Sequence, residues 1–136
     1  MKHYLLDTSL LAAYLHNRTK AIRLMTPWIK NDEVVTSILV YGEVIEYLKG
    51  LPNFADKYTK LHRILDEIPP YPLTYAILDL YADIRRTLRP LRKDIGDIDT
   101  LIAATALEHD LTIVTIDRDF ERIPDIKMRL VDLKAA

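Results

Sequence analysis

Apolar residues come along this chain in short bursts separated by polar turns. His3-Tyr4-Leu5-Leu6 runs into Asp7-Thr8-Ser9, Val34-Val35-Thr36 follows Asn31-Asp32-Glu33, and Leu111-Thr112-Ile113-Val114-Thr115 stops just before Asp117. Bursts this short, bounded by turn residues, read as strands. Leu130-Val131-Asp132-Leu133 reads as a final one, and Ile68-Pro69-Pro70-Tyr71-Pro72-Leu73 as an extended edge or loop, because its prolines remove ladder donors. Between these runs apolar positions recur at helical spacing. One helix follows Asp7-Thr8-Ser9, and a second carries Ala21, Ile22, Leu24, Met25, Trp28 and Ile29, where Pro27 predicts a kink or an early end. A third, capped by Ser37, runs from Ile38 to about Lys49, with Gly50 placed to end it. A fourth covers Phe54 to Asp66 with Tyr58, Leu61, Ile64 and Leu65 inward. A fifth opens at Thr74 and carries Ile77, Leu78, Leu80, Tyr81 and Ile84. Most of the aromatics Tyr14, Trp28, Tyr47 and Tyr58 are expected in the core, since they have so much area to bury.

The sixth helix, from Asp97 to His109, is apolar on nearly every side and should be buried between sheet and other helices. Asp97 fits its N-cap and Asp99 is then one acid more than a cap requires. Strands alternating with helices predict an α/β sandwich with a short, mostly parallel sheet, as one domain over 1–136.

Composition narrows the chemistry. Apolar residues make up 49% and charged residues 29% of 136, the balance of a folded soluble domain. No apolar run has the length of a membrane span and the N-terminus has no signal-peptide pattern, so a cytoplasmic protein is expected. With no Cys, thiolate chemistry and Cys-ligated metals are excluded. Net charge is −1, so any nucleic-acid binding must come from local patches. None of the three Gly builds a familiar nucleotide-binding loop.

The acids carry what remains. In parallel sheets ligands collect beyond the carboxyl ends of strands. Asp7 ends the first strand and Asp117 lies past a later one, so both point to that edge. Asp99 fits less well, because a helix feeding a strand is expected to begin at the opposite edge. Glu43 has Leu39, Val40, Glu46 and Tyr47 three and four residues away, placing it along a largely buried face, where it needs an arginine or a metal. Glu46 suits a solvated face. Converging carboxylates without Cys or His favour Mg²⁺ or Mn²⁺, which activate water and neutralise charge at a phosphate. The densest basic run, Arg85, Arg86, Arg89, Arg92 and Lys93, would hold such a substrate, or is a solvated helix end and loop favoured by the dipole.

In order and spacing, Asp7-Thr8-Ser9, Ser37 with Glu43, Ile95-Gly96-Asp97-Ile98-Asp99-Thr100-Leu101-Ile102-Ala103-Ala104 and Thr115-Ile116-Asp117-Arg118-Asp119-Phe120 resemble a PIN domain. The resemblance is greatest to VapC-type toxins of prokaryotic toxin–antitoxin pairs, and it implies a PIN-like α/β/α sandwich. By position it implies an acidic triad of Asp7, Glu43 and Asp99, a fourth acid at Asp117 or Asp119, and polar lining from Thr8 and Thr115. It further implies a Mg²⁺- or Mn²⁺-dependent endoribonuclease, a homodimer and a small antitoxin partner. Two rivals follow from the same residues. A phosphotransferase with Asp7 as nucleophile would want a lysine beside the late strand, and none lies there. A catalytically weak module that binds RNA or protein would keep the acids without turnover.

Overall fold

Alternation of short strands with longer amphipathic helices leaves each strand to find its neighbour across a helical crossover, and crossovers of this kind pair strands in parallel. The computed structural model describes residues 1–93 and 95–134. Asp94, within the predicted loop 89–95, and residues 135–136, at the end of the single domain expected over 1–136, lie outside the described residues. The described chain runs β1 (Tyr4–Leu6), α1 (Thr8–Leu15), α2 (Thr19–Lys30), β2 (Val34–Ser37), α3 (Ile38–Leu48), α4 (Phe54–Glu67), β3 (Pro70–Tyr71), α5 (Tyr75–Leu88), α6 (Asp97–Glu108), β4 (Thr112–Thr115) and β5 (Lys127–Leu130). Short 3-10 turns cover Arg89–Leu91 and Arg118–Arg122.

The strands form one sheet in the order β3-β2-β1-β4-β5, and all its pairings are parallel. β1 is central: Tyr4 and Leu5 pair with Val34 and Val35 on one side, and Tyr4, Leu5 and Leu6 with Thr112, Ile113 and Val114 on the other. Leu5, Leu6, Val34, Val35, Ile113 and Val114 are fully buried, as near-continuous apolar strands covered by helices must be. α6 packs against α5 and α3, and α1 against α2, α3 and α4. Small Ala103, Ala104 and Ala106 with Ile102 let α6 lie deep in the core.

Several expectations are corrected. The last strand is Lys127–Leu130, not 130–133: it is an edge strand paired from Thr112↔Lys127 to Thr115↔Leu130. Its signal is the alternation Lys-Met-Arg-Leu with Met128 half-buried, which an apolar run three residues later outweighs. Gly96, not Asp97, is the N-cap of α6, and it offers no side-chain bond. Pro27 does not end α2, which continues to Lys30, since a proline removes one ladder bond and neighbouring turns hold. Tyr58 and Leu78 are exposed at 40% and 42%. Each sits one step around the helix from the true apolar stripe, Leu61–Ile64 and Ile77–Ile84–Leu88 respectively. Tyr47 is also exposed, whereas Trp28 is buried and stacks on Tyr4 at 3.9 Å between ring centroids.

Leu5→Ala at the centre of the sheet should cost about 2–5 kcal/mol, read as a lower denaturant midpoint at unchanged slope.

Candidate active site

A parallel sheet gathers every strand's C-terminal end along one edge, and the helices between strands run back antiparallel to them. A helix feeding a strand therefore begins at that same edge, which removes the objection to Asp99. The first turn of α6 lies with the strand ends, and the Asp99 carboxyl is raised by burial first, then by the charges of Glu43, Asp117 and Asp119.

Asp7 is the most constrained member. It follows β1 and caps α1, its Oδ1 accepting the Leu10 amide at 3.2 Å. Its Oδ2 accepts the Thr115 hydroxyl from the end of β4, and its own amide donates to the Val114 carbonyl at 3.2 Å. Only 6% exposed, Asp7 has its pKa raised to about 6. Burial is the main cause; the Thr115 and Leu10 bonds oppose it, and the charges of Asp99 and Asp117 add to it. Among the described residues no arginine or lysine offsets the burial of Asp7 or Asp99.

The same hydroxyl extends the arrangement outward. Thr115 Oγ1 accepts the Asp117 amide at 3.0 Å, and Asp117 Oδ1 accepts the Asp119 amide at 2.9 Å. Asp117 is half-buried and its charge reaches both Asp7 and Asp99. Asp119 is exposed, pairs with Arg122 at 3.4 Å and reaches Asp99 but not Asp7. Asp117 is the better placed of the two.

Glu43 is half-buried rather than on a buried face. Its Oε1 accepts the Thr8 hydroxyl, and among the described residues no arginine pairs with it. Thr8 and Glu43 open on a cavity of about 610 Å³ whose apolar wall includes Ile38, Leu39 and Ile98. Glu46 lines it too, from an exposed position.

The basic run divides. Arg85 turns inward, its Nη1 lying 3.2 Å from Asp97 Oδ1 and 3.3 Å from the Ile95 carbonyl. Tyr81 Oη donates to the same Asp97 oxygen at 3.0 Å, which lifts the tyrosine's pKa. This brace from α5 holds the side chain of Asp97 and the carbonyl of Ile95, next to the turn that presents Asp99. Arg86, Arg89, Arg92 and Lys93 are exposed. Arg92 and Lys93 share a cavity with Arg118, Asp119 and Arg122. Arg118 and Arg122 have no sequence signal of their own, since charges of alternating sign in a turn read as a solvated surface.

Oxygen donors from four separate stretches thus crowd one edge of the sheet. Among the described residues no three His, Cys, Asp or Glu side chains form a ready cage for a metal ion. The set is all hard oxygen and open, which suits an ion that keeps part of its water shell, as Mg²⁺ does.

This fold belongs to a known class. The family model of the PIN domain matches residues 4–126, and the chain belongs to that family. It is similar to a ribonuclease VapC of Rickettsia bellii (strain RML369-C), 29% identical over 141 residues that cover 96% of this chain and 97% of that protein. It is also similar to ribonuclease VapC1 of Haemophilus influenzae (strain R2866), 28% identical over 127 residues, 91% of this chain and 94% of that one. In fold it matches the crystal structure of VapBC2 from Rickettsia felis bound to a DNA fragment from their promoter. The TM-score is 0.86 at 22% identity, covering 95% of this chain and 98% of that chain.

Asp7 supplies a pH test in the metal-free protein. Its folded pKa of about 6 lies above the ordinary aspartate value of 3.8, so the folded state holds the proton more tightly. That stability is full below about pH 4 and is lost as pH rises through about 6. Asp7→Asn cannot ionise, so in chelator near pH 8 it should be more stable than wild type by about 1–3 kcal/mol, the margin closing toward pH 4. Thermal melts across this range measure it.

Proposed function

We propose that the chain is a metal-dependent endoribonuclease, the toxin of a VapBC-type toxin–antitoxin pair, cutting RNA phosphodiester bonds at the edge where Asp7, Glu43, Asp99 and Asp117 meet. One observation carries the reading: Asp7 is buried, and Asp7 and Asp99 are held among other carboxylates with no offsetting cation among the described residues. Alone, such a group repels a phosphodiester and destabilises the fold. Asp7 and Asp99 would be the principal groups holding the ion, directly or through water, with Glu43 completing the pocket and Asp117 supporting it. When bound, Mg²⁺ or Mn²⁺ supplies Lewis acidity and a more acidic water.

The chain's own groups do the rest. Thr115 fixes the Asp7 carboxylate by one oxygen and the Leu10 amide by the other, so its direction does not depend on a ligand. Thr8 holds one oxygen of Glu43 and leaves the other to orient a water for attack on phosphorus, the water giving up its proton to solvent as the P–O3′ bond breaks and the leaving 3′ oxygen takes one back. The cavity beside Glu43, walled by Ile38, Leu39 and Ile98, accepts an unstacked base or ribose. Asp119 supports the outer end of the cluster.

The VapC names of the relatives at 28% and 29% identity support ribonuclease activity, and the resemblance supports an antitoxin partner and a homodimer. Among the described residues no helix is long and apolar enough to cross a membrane; a cytoplasmic site of action belongs to this proposal.

With structured RNA and Mg²⁺ or Mn²⁺, wild type should cleave. Asp7→Asn and Asp99→Asn should each lose more than about 100-fold, at least the cost of losing an outer-shell partner. Equal activity in both variants would identify a contaminating nuclease. Binding without cleavage by wild type would make the protein a catalytically weak RNA-binding module instead. Separately, Mg²⁺ or Mn²⁺ should raise the melting temperature of wild type near pH 8 and leave Asp99→Asn nearly unmoved.

A further inference from the structure

We propose that Arg118 joins two surface cavities into one track for single-stranded RNA leading away from the acid cluster. The inference rests on the ribonuclease reading and adds where the substrate lies.

The first cavity, about 500 Å³, is lined by Arg92, Lys93, Arg118, Asp119, Glu121 and Arg122. It adjoins the cluster, because the amide of its wall residue Asp119 donates to Asp117 Oδ1 at 2.9 Å. Its two carboxylates are engaged, Asp119 with Arg122 at 3.4 Å and Glu121 with Arg118 at 3.2 Å. Arg92 and Lys93 add positive charge whose side chains make no ion pair or hydrogen bond among the described residues. In a chain of net charge −1, this local excess is where a polyanion would be held.

Backbone conformation points the same way. Among the described residues five non-glycine positions have a left-handed backbone: Asn17, Asp32, Asp110, Asp125 and, at φ 54°, Arg92. Asn and Asp adopt that region readily, and arginine does not. At Arg92 the chain accepts the strain while its amide holds the Arg89 carbonyl at 3.1 Å. What an Asn would lack there is a guanidinium at the cavity rim.

Arg118 also lines the second cavity, about 520 Å³, with Arg18, Ile116, Leu130 and Lys134 among its walls. Ile116 and Leu130 are 45% and 37% exposed, apolar surface that shares the cavity with three cations and one acid, Asp132, whose carboxylate accepts the Lys134 amide at 2.9 Å. Flat apolar contact for bases beside positive charge for phosphates is how single strands are held without base-edge readout. A duplex, with its bases stacked inside, could not use Ile116 and Leu130.

Arg92→Asn and Arg118→Gln test the track in an Asp99→Asn background, which binds RNA without consuming it. Asn suits the left-handed backbone, and an exposed ion pair is worth little, so melting temperatures should hold for both. The probe is a labelled single-stranded oligoribonucleotide of about 12 nucleotides, titrated in Mg²⁺ across a salt series. Each variant should bind roughly 3- to 10-fold more weakly, and the slope of log affinity against log salt should fall by about 0.7 for each phosphate no longer neutralised. Lys30→Gln, at the far end of α2, should change neither. Unchanged affinity and slope in both variants overturn the track while RNA cleavage by the wild type still stands. Failure of the wild type to cleave, with failure of the Asp99→Asn parent to bind, overturns the ribonuclease reading as well. Variants that keep RNA but lose an acidic protein partner assign the surface to that partner and overturn the track.

Discussion

One hydroxyl joins the two halves of the chain's chemistry. Thr115 donates to the Asp7 carboxylate and accepts the Asp117 amide, linking the ends of β1 and β4 where these strands pair. Burying Asp7 without such a bond would raise its pKa further and turn the acid into an uncharged passenger. With the bond, the carboxylate stays close enough to ionisation to serve a cation near neutral pH. The rest of the sheet keeps that donor in place through the Leu6↔Val114 register, the Asp7 amide on Val114, and fully buried strands on either side.

A second device acts on α6. Its first turn has a glycine cap with no side chain to hold the open amides, in an element that must deliver Asp99 accurately. Arg85 and Tyr81 on α5 fasten that turn from outside by donating to Asp97 and to the Ile95 carbonyl, without touching the amides. The arginine that a sequence reading assigns to substrate is therefore engaged inside the protein, and Arg92 and Lys93 are left for the outside. These contacts tie the start of α6 to α5.

The legible parts of the fold are those where local signals agree. β1, β2 and β4 are short apolar bursts ended by polar turns, and Ser37 and Thr74 cap their helices through side-chain oxygens. β5 escapes a reading by apolar runs because an edge strand needs only one apolar face, and Met128 alone marks it. Of the candidate site, Asp7 and Asp117 can be placed from the strand ends alone. Glu43 cannot be read as a partner of Thr8, since a contact across 35 residues leaves no periodic trace. Asp99 looks misplaced along the chain for a geometric reason that parallel crossovers reverse. Arg118 and Arg122 gain meaning only from a cavity, which no stretch of sequence displays.

The central place of β1 has a consequence for biosynthesis. β1 waits for β4, and the residue that steadies Asp7 lies 108 positions later. A chain still emerging from the ribosome has its early acid in hand but neither the late strand nor the acids beyond it. The pocket closes only once β4 and Asp117 have joined β1, so any fragment that stops short of them lacks the complete set of carboxylates.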